Sequence, residues 1–528
     1  MKSIRAFSIF FCFILFLIFA NENVYAQQKY WVFFKYKSTQ FQPYNYFSPK
    51  ALERRRLQMI PICDSTDFPV NANFIFEVNQ LVDTVLQSTR WFNGVAVGAN
   101  QIQIELIKKL SFVKSVQKIE SKITVSENGY SDLETNEKDL LIKQVKVMQG
   151  DIFHKNGIKG TGVRIAIFDA GFPAVDYLEV FGHLHRNKRI ISTWDFTKNK
   201  DFVYDYNEHG TMVLSCIAGI VDDTIPMGLA TDAEFLLART EVEREPFSEE
   251  ENWLAAVEWA DKNGADIINS SLGYTYHRYF NEDMDGKTSL VSKAANMAAR
   301  KGILVLNAMG NDGDNDWKML GTPADADSIL SISGINPTNG YKIEFSSLGP
   351  TWDKRLKPNL CSYGEAVVCA EDGLTVAEGT SFSSPLVAGF AACVKQLNMQ
   401  LGVMELFKKM EKSGSLFPYF DYAHGYGVPL ASEFFDNEIK NESEFATFRF
   451  DVKSNLLHIN VFKNYIVKKG LNDENYLYYK ITNKDGWIEK YVLIEVYQEN
   501  ACVLNLDEYT DNQEIAVYYK GFYATYKL

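Results

Sequence analysis

A chain of 528 residues is too long for one compact core, so roughly two to four domains are expected. Aromatic content of 14% and hydrophobic content of 46% suit globular protein rather than disorder. A formal net charge of −13 argues against nucleic-acid binding, which needs a basic footprint.

Lys2 and Arg5 precede an apolar run from Ala6 to Ala20, about the length of a signal-peptide core and short for a membrane span. Val24-Tyr25-Ala26 puts small residues where a signal peptidase acts, which predicts cleavage after Ala26 and export. The alternative is an uncleaved membrane anchor. Lys29 to Lys35 alternates as a strand. Ser48 at a cap position, Pro49 in the first turn and helix formers up to Arg56 predict a helix. Asn73 to Ser88 reads as helix, Trp91 to Val97 as strand, Ile102 to Leu110 as helix and Phe112 to Lys118 as strand, together a small α/β unit. The polar stretch from Ser126 to Lys138 reads as an exposed linker.

From Leu141 to about Leu430, buried-strand patterns alternate with helical ones. Val163 to Phe168, Ala265 to Asn269 and Gly302 to Asn307 are the strands; Glu250 to Asn263, Leu290 to Lys301 and Ser384 to Leu397 are the helices. That alternation predicts an α/β fold, a mostly parallel sheet with helices on both faces. Beyond it, Phe445–Val452, Leu456–Val461, Tyr476–Ile481, Tyr491–Val496 and Ile515–Tyr519 alternate apolar and polar residues, which predicts a small all-β, sandwich-like domain. Cys12 leaves with the signal. Cys63, Cys216, Cys361, Cys369, Cys393 and Cys502 show no metal-ligand spacing, and Cys361 and Cys369 are close enough in sequence to pair in an oxidising compartment.

Three glycine-rich segments carry an acid, a base and a nucleophile in that order: Ile165 to Gly171 with Asp169, Glu208 to Thr211 with His209, and Gly379 to Pro385 with Ser381. Asp169 closes a β-branched run, at the carboxyl end of a strand where open sheets place their sites. His209 opens an apolar helical run. On composition alone Ser383 and Ser384 compete with Ser381. Asn311 lies in Asn307-Ala-Met-Gly-Asn-Asp-Gly313, a context that otherwise suits a turn.

From about Gly150 to Leu430 these segments resemble the subtilisin-like serine proteases, whose chain order is Asp, His, Ser. The resemblance selects Ser381 as nucleophile, from the pattern Gly-Thr-Ser, hydrophobe, two small residues, Pro. It implies His209 as general base, Asp169 as its orienting partner and Asn311 as oxyanion donor. Met212 stands where the family usually has a second His. Ser271, Leu272 and Gly273 resemble the edge that pairs with extended substrate, with Ala308 and Gly310 on the opposite wall of the primary pocket. The small pocket walls suit large apolar side chains, with Asp312 near enough to favour basic ones. The N-terminal unit resembles the inhibitory propeptide; the alternative is a domain that stays attached.

The expected organisation is a signal peptide (1–26), a propeptide-like α/β domain with linker (27–140), a subtilisin-like catalytic domain (141–437) and a C-terminal β domain (438–528). The expected function is a secreted or envelope serine endopeptidase working through an acyl-enzyme. Its rivals are a non-catalytic peptide-binding protein of the same fold and an esterase, although Gly-x-Ser-x-Gly does not surround Ser381. No cofactor is needed and no metal site is expected: Gly219 to Gly228 is shorter than the family's calcium loop, and Asp314, Asp316, Asp325 and Asp327 read as solvated. The expected partners are protein or peptide substrates and the chain's own propeptide, with no nucleic acid, on a monomer.

Overall fold

A computed structural model describes residues 28–119, 137–242, 249–275, 278–435, 445–466 and 475–528. The signal-peptide expectation and most of the linker lie outside the described residues. The chain divides into two compact units, Met1–Phe41 with Ser65–Glu120, and Gln42–Asp64 with Ser121–Leu528.

The first unit is an antiparallel sheet in the order Thr84–Thr89, Gly94–Ala99, Gln28–Phe34, Val113–Ile119. The helices Ala72–Asn79 and Gln101–Ile107 belong to it, and Val32, Phe34, Val97, Ile104 and Ile107 form its core. One expectation is corrected here. The helix read from Asn73 to Ser88 stops at Asn79, and Thr84–Thr89 is a strand paired with Gly94–Ala99. The apolar spacing of Phe74, Ile75, Val78 and Leu81 carries on as helical in sequence, but β-branched Thr84, Val85 and Thr89 gain more from cross-strand pairing. Trp91 to Asn93, read as strand, form the turn between these strands, with Asn93 in the left-handed region at φ 56°.

In the second unit the central sheet has seven strands in the order Leu360–Tyr363, Leu330–Ile335, Leu304–Ala308, Ile267–Ser270, Arg164–Asp169, Glu234–Arg239, Ile190–Asp195. Every pairing is parallel. Their near-continuous apolar character follows from burial on both faces. From Arg164–Asp169 the chain runs to the edge strand Ile190–Asp195, returns to place Glu234–Arg239 between the two, and then crosses to Ile267–Ser270 on the other side. The carboxyl ends of Arg164–Asp169 and Ile267–Ser270 are therefore the crevice where such sheets hold ligands.

Residues 42–64 pack on this unit at the opposite, N-terminal ends of the strands. The helix Pro49–Leu57 forms as expected, with Ser48 Oγ accepting the Ala51 N–H at 3.1 Å. Its buried Arg54 and Arg55 share the Asp261 carboxylate, Arg55 at 2.7 Å. Gln58 Nε2 donates to the Gly302 carbonyl at 2.8 Å.

The C-terminal region holds two antiparallel sheets, Phe448–Lys453, Leu456–Val461, Asn500–Asn505 and Ile488–Glu495, Tyr476–Thr482, Glu514–Tyr519, Phe522–Lys527. Side chains from both sheets meet in one core through Leu457, Ile459, Leu477, Ile481, Ile515 and Val517. Asn500–Asn505 and Phe522–Lys527 are strands the sequence reading missed. Among the described residues Cys361 and Cys369 form no disulfide with each other; both are buried in the apolar core.

Candidate active site

Asp169 ends its strand beside Arg239 and is fully buried. Its Oδ1 accepts the Ala170 N–H at 2.8 Å and stands 2.8 Å from His209 Nδ1. Such closeness requires Gly210: a Cβ there would lie 2.2 Å from the Gly171 carbonyl oxygen and 3.0 Å from Asp169 Cβ. His209 opens the helix His209–Ala218, and its own N–H donates to Asn207 Oδ1 at 2.8 Å. Burial opposes the imidazolium, but the Asp169 charge and hydrogen bond outweigh it, so the His209 pKa is raised. Met212, in place of a second histidine, is buried in the main core below.

The helix carrying Ser381 begins earlier than expected, at Thr380 rather than Ser384. Pro385 sits inside it, beyond the first turn. Proline has no N–H to give the carbonyl four residues back, which is that of Ser381. Ser271 Oγ donates to that carbonyl instead, at 2.9 Å. One proline thus leaves a backbone acceptor that ties the substrate-edge candidate to the nucleophile candidate. Gly379, at φ +149°, turns the chain from the hairpin Glu365–Ala370/Gly373–Glu378 into this helix.

The three competing serines separate on geometry. Ser383 Oγ donates to the Tyr363 carbonyl at 3.0 Å and Ser384 Oγ to Asn269 Oδ1 at 2.8 Å, both fully buried. Ser381 Oγ makes only a 3.4 Å contact with the Ser271 carbonyl. Among the described residues no hydrogen bond joins Ser381 to His209. They are linked by Phe382, whose ring centroid lies 5.8 Å from that of His209. Ser381 lies in the first turn of its helix, where N–H groups lack intrahelical acceptors and the dipole favours negative charge.

Asn311 is brought to the same helix N-terminus. Thr380 holds the side-chain oxygen twice, from its N–H at 3.0 Å and from Oγ1 at 2.8 Å, which leaves the Nδ2 donor beside Gly379. Sequence reasoning passed over Thr380; a hydroxyl directly before the serine was its only signal. Asn307 was missed likewise. Its Nδ2 donates to the Leu272 carbonyl at 2.9 Å, fixing the Ser271–Gly273 segment. Ala308 ends a central strand, and Gly310 is held by Thr380 Oγ1 at 3.2 Å. The Asp312 carboxylate accepts from Asn315 Nδ2 at 2.6 Å. Asp325 is buried, bonded by Ser292 Oγ and by the Gly286 N–H at 2.6 Å, and burial raises its pKa.

Comparison with known proteins bears on this geometry. Residues 160–427 match the subtilase family, and residues 29–135 match the peptidase S8 propeptide domain of Bacteroidota. Subtilisin DY of Bacillus licheniformis is 28% identical over 251 residues, 47% of this chain and 82% of the relative. An intracellular serine protease of Paenibacillus polymyxa is 31% identical over 251 residues, 46% of this chain and 69% of the relative. Among solved structures, a point mutant of the epidermin leader peptide processing serine protease of Staphylococcus aureus shares the fold at TM-score 0.55 and 14% identity, covering 77% of this chain and 99% of that one. Fervidolysin of Fervidobacterium pennivorans does so at TM-score 0.55 and 13% identity, covering 94% and 71%. The chain belongs to the subtilase family: it is a subtilisin-like serine protease with an N-terminal propeptide domain.

Proposed function

We propose that the chain is an exported endopeptidase in which Asp169, His209 and Ser381 form the triad and Asn311 is the oxyanion donor. The observation that carries this reading is the buried 2.8 Å contact between Asp169 Oδ1 and His209 Nδ1, which presents Nε2 as the free base. Ser381 leaves its long contact with the Ser271 carbonyl, gives its proton to His209 Nε2 and attacks the peptide carbonyl carbon. The oxyanion is held by Asn311 Nδ2 and the Ser381 N–H. His209 then protonates the leaving amine. In the second half-reaction water gives His209 a proton, attacks the acyl-enzyme, and returns Ser381 to its free hydroxyl. Substrate pairs in extended form along Ser271–Gly273, its primary side chain facing Ala308 and Gly310. Export rests on the N-terminal apolar run and Ala26. No helix among the described residues is long and apolar enough to cross a membrane.

The test is intact mass and N-terminal sequencing of wild type and Ser381→Ala. Wild type is expected to shorten to a start between about Lys122 and Val147, with the variant uncut and without peptidase activity. In subtilisin itself, loss of the nucleophile is known to cost about 10⁶-fold in kcat. Full peptidase activity in Ser381→Ala overturns the assignment.

A further inference from the structure

The residues that match the propeptide domain do not all pack together. The match runs over 29–135, yet residues 42–64 group with the second unit, while the residues on either side of them form the first. The chain therefore passes between the units at Phe41/Gln42, at Asp64/Ser65 and at Glu120/Ser121. A cut in the linker that follows Glu120 severs only the last of these crossings.

Residues 42–64 lie across the turns that enter the central strands. Lys50 bonds the Gly162 carbonyl, ahead of Arg164–Asp169, and stands 3.4 Å from Asp266. Arg54 bonds the Ala265 carbonyl, ahead of Ile267–Ser270, and the Ser48 N–H donates to the Lys262 carbonyl at 2.9 Å. Ahead of Leu304–Ala308, Gln58 Nε2 donates to the Gly302 carbonyl at 2.8 Å, and Lys301 Nζ donates to Asp64 at 2.9 Å. Gln58 Oε1 also accepts the Val403 N–H at 3.1 Å. The turns are shaped to this contact. A Cβ at Gly264 would lie 2.6 Å from the Ala51 nitrogen, and one at Gly302 would lie 2.7 Å from Ile60 Cδ1.

The contact is buried as well as charged. The side chains of Arg54 and Arg55 are fully buried against Asp261, and the Arg55 guanidinium lies 4.1 Å from the centre of the Phe47 ring. Phe47 and Ala51 are buried with them. Salt screens buried pairs far less than exposed ones, and removing one partner leaves the other charge uncompensated. This face is also the far end of the strands from the candidate active site. Asp169 closes its strand, and Ser271 follows the last residue of Ile267–Ser270. A segment docked at the amino ends covers neither of them.

We propose that residues 42–64 are a permanent part of the protease. They stay on this face after the linker is cut, and the first unit stays with them as a second, non-covalent chain. Complete removal of the first unit takes further cuts, near Phe41/Gln42 and near Asp64/Ser65, and leaves 42–64 bound. The self-made cut in the linker rests on the protease reading above; the docking of 42–64 does not.

The experiment uses the full Ser381→Ala chain with a recognition site for an unrelated, sequence-specific protease inserted between Ser126 and Lys138. After the cut, the N-terminal and catalytic fragments are expected to co-elute in size exclusion at micromolar concentration, in high salt as in low. Arg54→Met with Arg55→Met alters only the N-terminal fragment and is expected to raise the dissociation constant at least about thirtyfold. Arg54→Lys with Arg55→Lys keeps both charges and is expected to raise it less. Fragments that separate at the cut, or that hold equally well with both arginines replaced by Met, overturn the anchor. In the wild-type chain, mass spectrometry of the purified active enzyme after unfolding is expected to find a peptide containing residues 42–64, in equal amount to the catalytic chain. An active enzyme without that peptide overturns its permanence and leaves the protease reading standing. A wild type without peptidase activity overturns the protease reading, and the Ser381→Ala fragments still decide the anchor.

Discussion

The strands Arg164–Asp169, Ile267–Ser270 and Leu304–Ala308 run between two different environments. Ahead of them, most of the charged groups are drawn into ion pairs and carbonyl contacts, with Arg54 Nε the exception. Lys50 bonds the Gly162 carbonyl and stands 3.4 Å from Asp266, Arg54 bonds the Ala265 carbonyl, and Asp261 is shared by Arg54 and Arg55. Beyond their carboxyl ends the polar groups are left open. Asp169 Oδ2, Asn307 Oδ1 and Tyr274 Oη have no hydrogen bond among the described residues, and Ser381 Oγ has only its 3.4 Å contact. Buried polar groups are normally satisfied, and each exception costs stability. The closed end therefore spends its charges on holding residues 42–64, a stretch inside the match to the propeptide domain. On the proposed reading, the open end keeps its hydrogen-bonding capacity for a substrate or a transition state.

The largest effect expected from breaking this contrast is at the open end. Asp169→Asn keeps the shape of the site but presents an amide donor to His209 Nδ1, favouring the wrong tautomer; about a 10⁴-fold loss in kcat is expected. The pH profile sharpens the test. On the proposed mechanism His209 must be neutral to act as base, so wild-type kcat/KM is expected to fall as pH drops through the His209 pKa, which is raised from its ordinary value. Asp169→Asn removes the two causes that raise it and leaves burial, which lowers it. The acid limb of the residual activity is therefore expected at lower pH than in wild type. A limb that stays in place would mean that Asp169 does not set the charge state of the base.

At the closed end the expected effect is on stability. Asp261→Ala removes the carboxylate shared by two buried guanidinium groups, a kind of loss that costs about 3 kcal/mol or more. Urea unfolding of the uncut Ser381→Ala chain, with and without Asp261→Ala, measures it. A change below about 1 kcal/mol would place this pair with surface ion pairs, despite its burial.

The sequence was most legible where one short motif carries both local structure and chemistry. The buried run before Asp169 is a strand, His209 opens a helix and the Gly-Thr-Ser segment leads into another, as their local patterns imply. Legibility failed where the decisive partner is far along the chain. Arg54 and Asp261 are 207 residues apart, and Asn311 and Thr380 are 69 apart, so no local pattern announces either pair. It failed differently at Pro385. The tolerance of a proline beyond the first turn of the helix Thr380–Leu397 depends on Ser271 supplying the missing donor, which no local pattern shows. The Thr84–Thr89 strand was hidden by a helical apolar spacing that only pairing with Gly94–Ala99 overrides.

The smallest expected effect concerns how the closed end is presented. Ser48→Ala removes the cap from Pro49–Leu57, the helix that carries Arg54 and Arg55, and about 1 kcal/mol of stability is expected to go with it. Cap and ion pair act on the same docking event, so the double variant with Asp261→Ala should lose less than the two single losses added. Once the shared carboxylate is gone, there is less docked helix for the cap to stabilise. Urea unfolding of the four chains in the Ser381→Ala background reads this directly. A Ser48→Ala cost larger than that of Asp261→Ala would mean that helix formation, not charge pairing, holds residues 42–64. Full additivity would mean that the helix stands without its ion pair, and the contrast between a closed and an open end would then rest on the backbone alone.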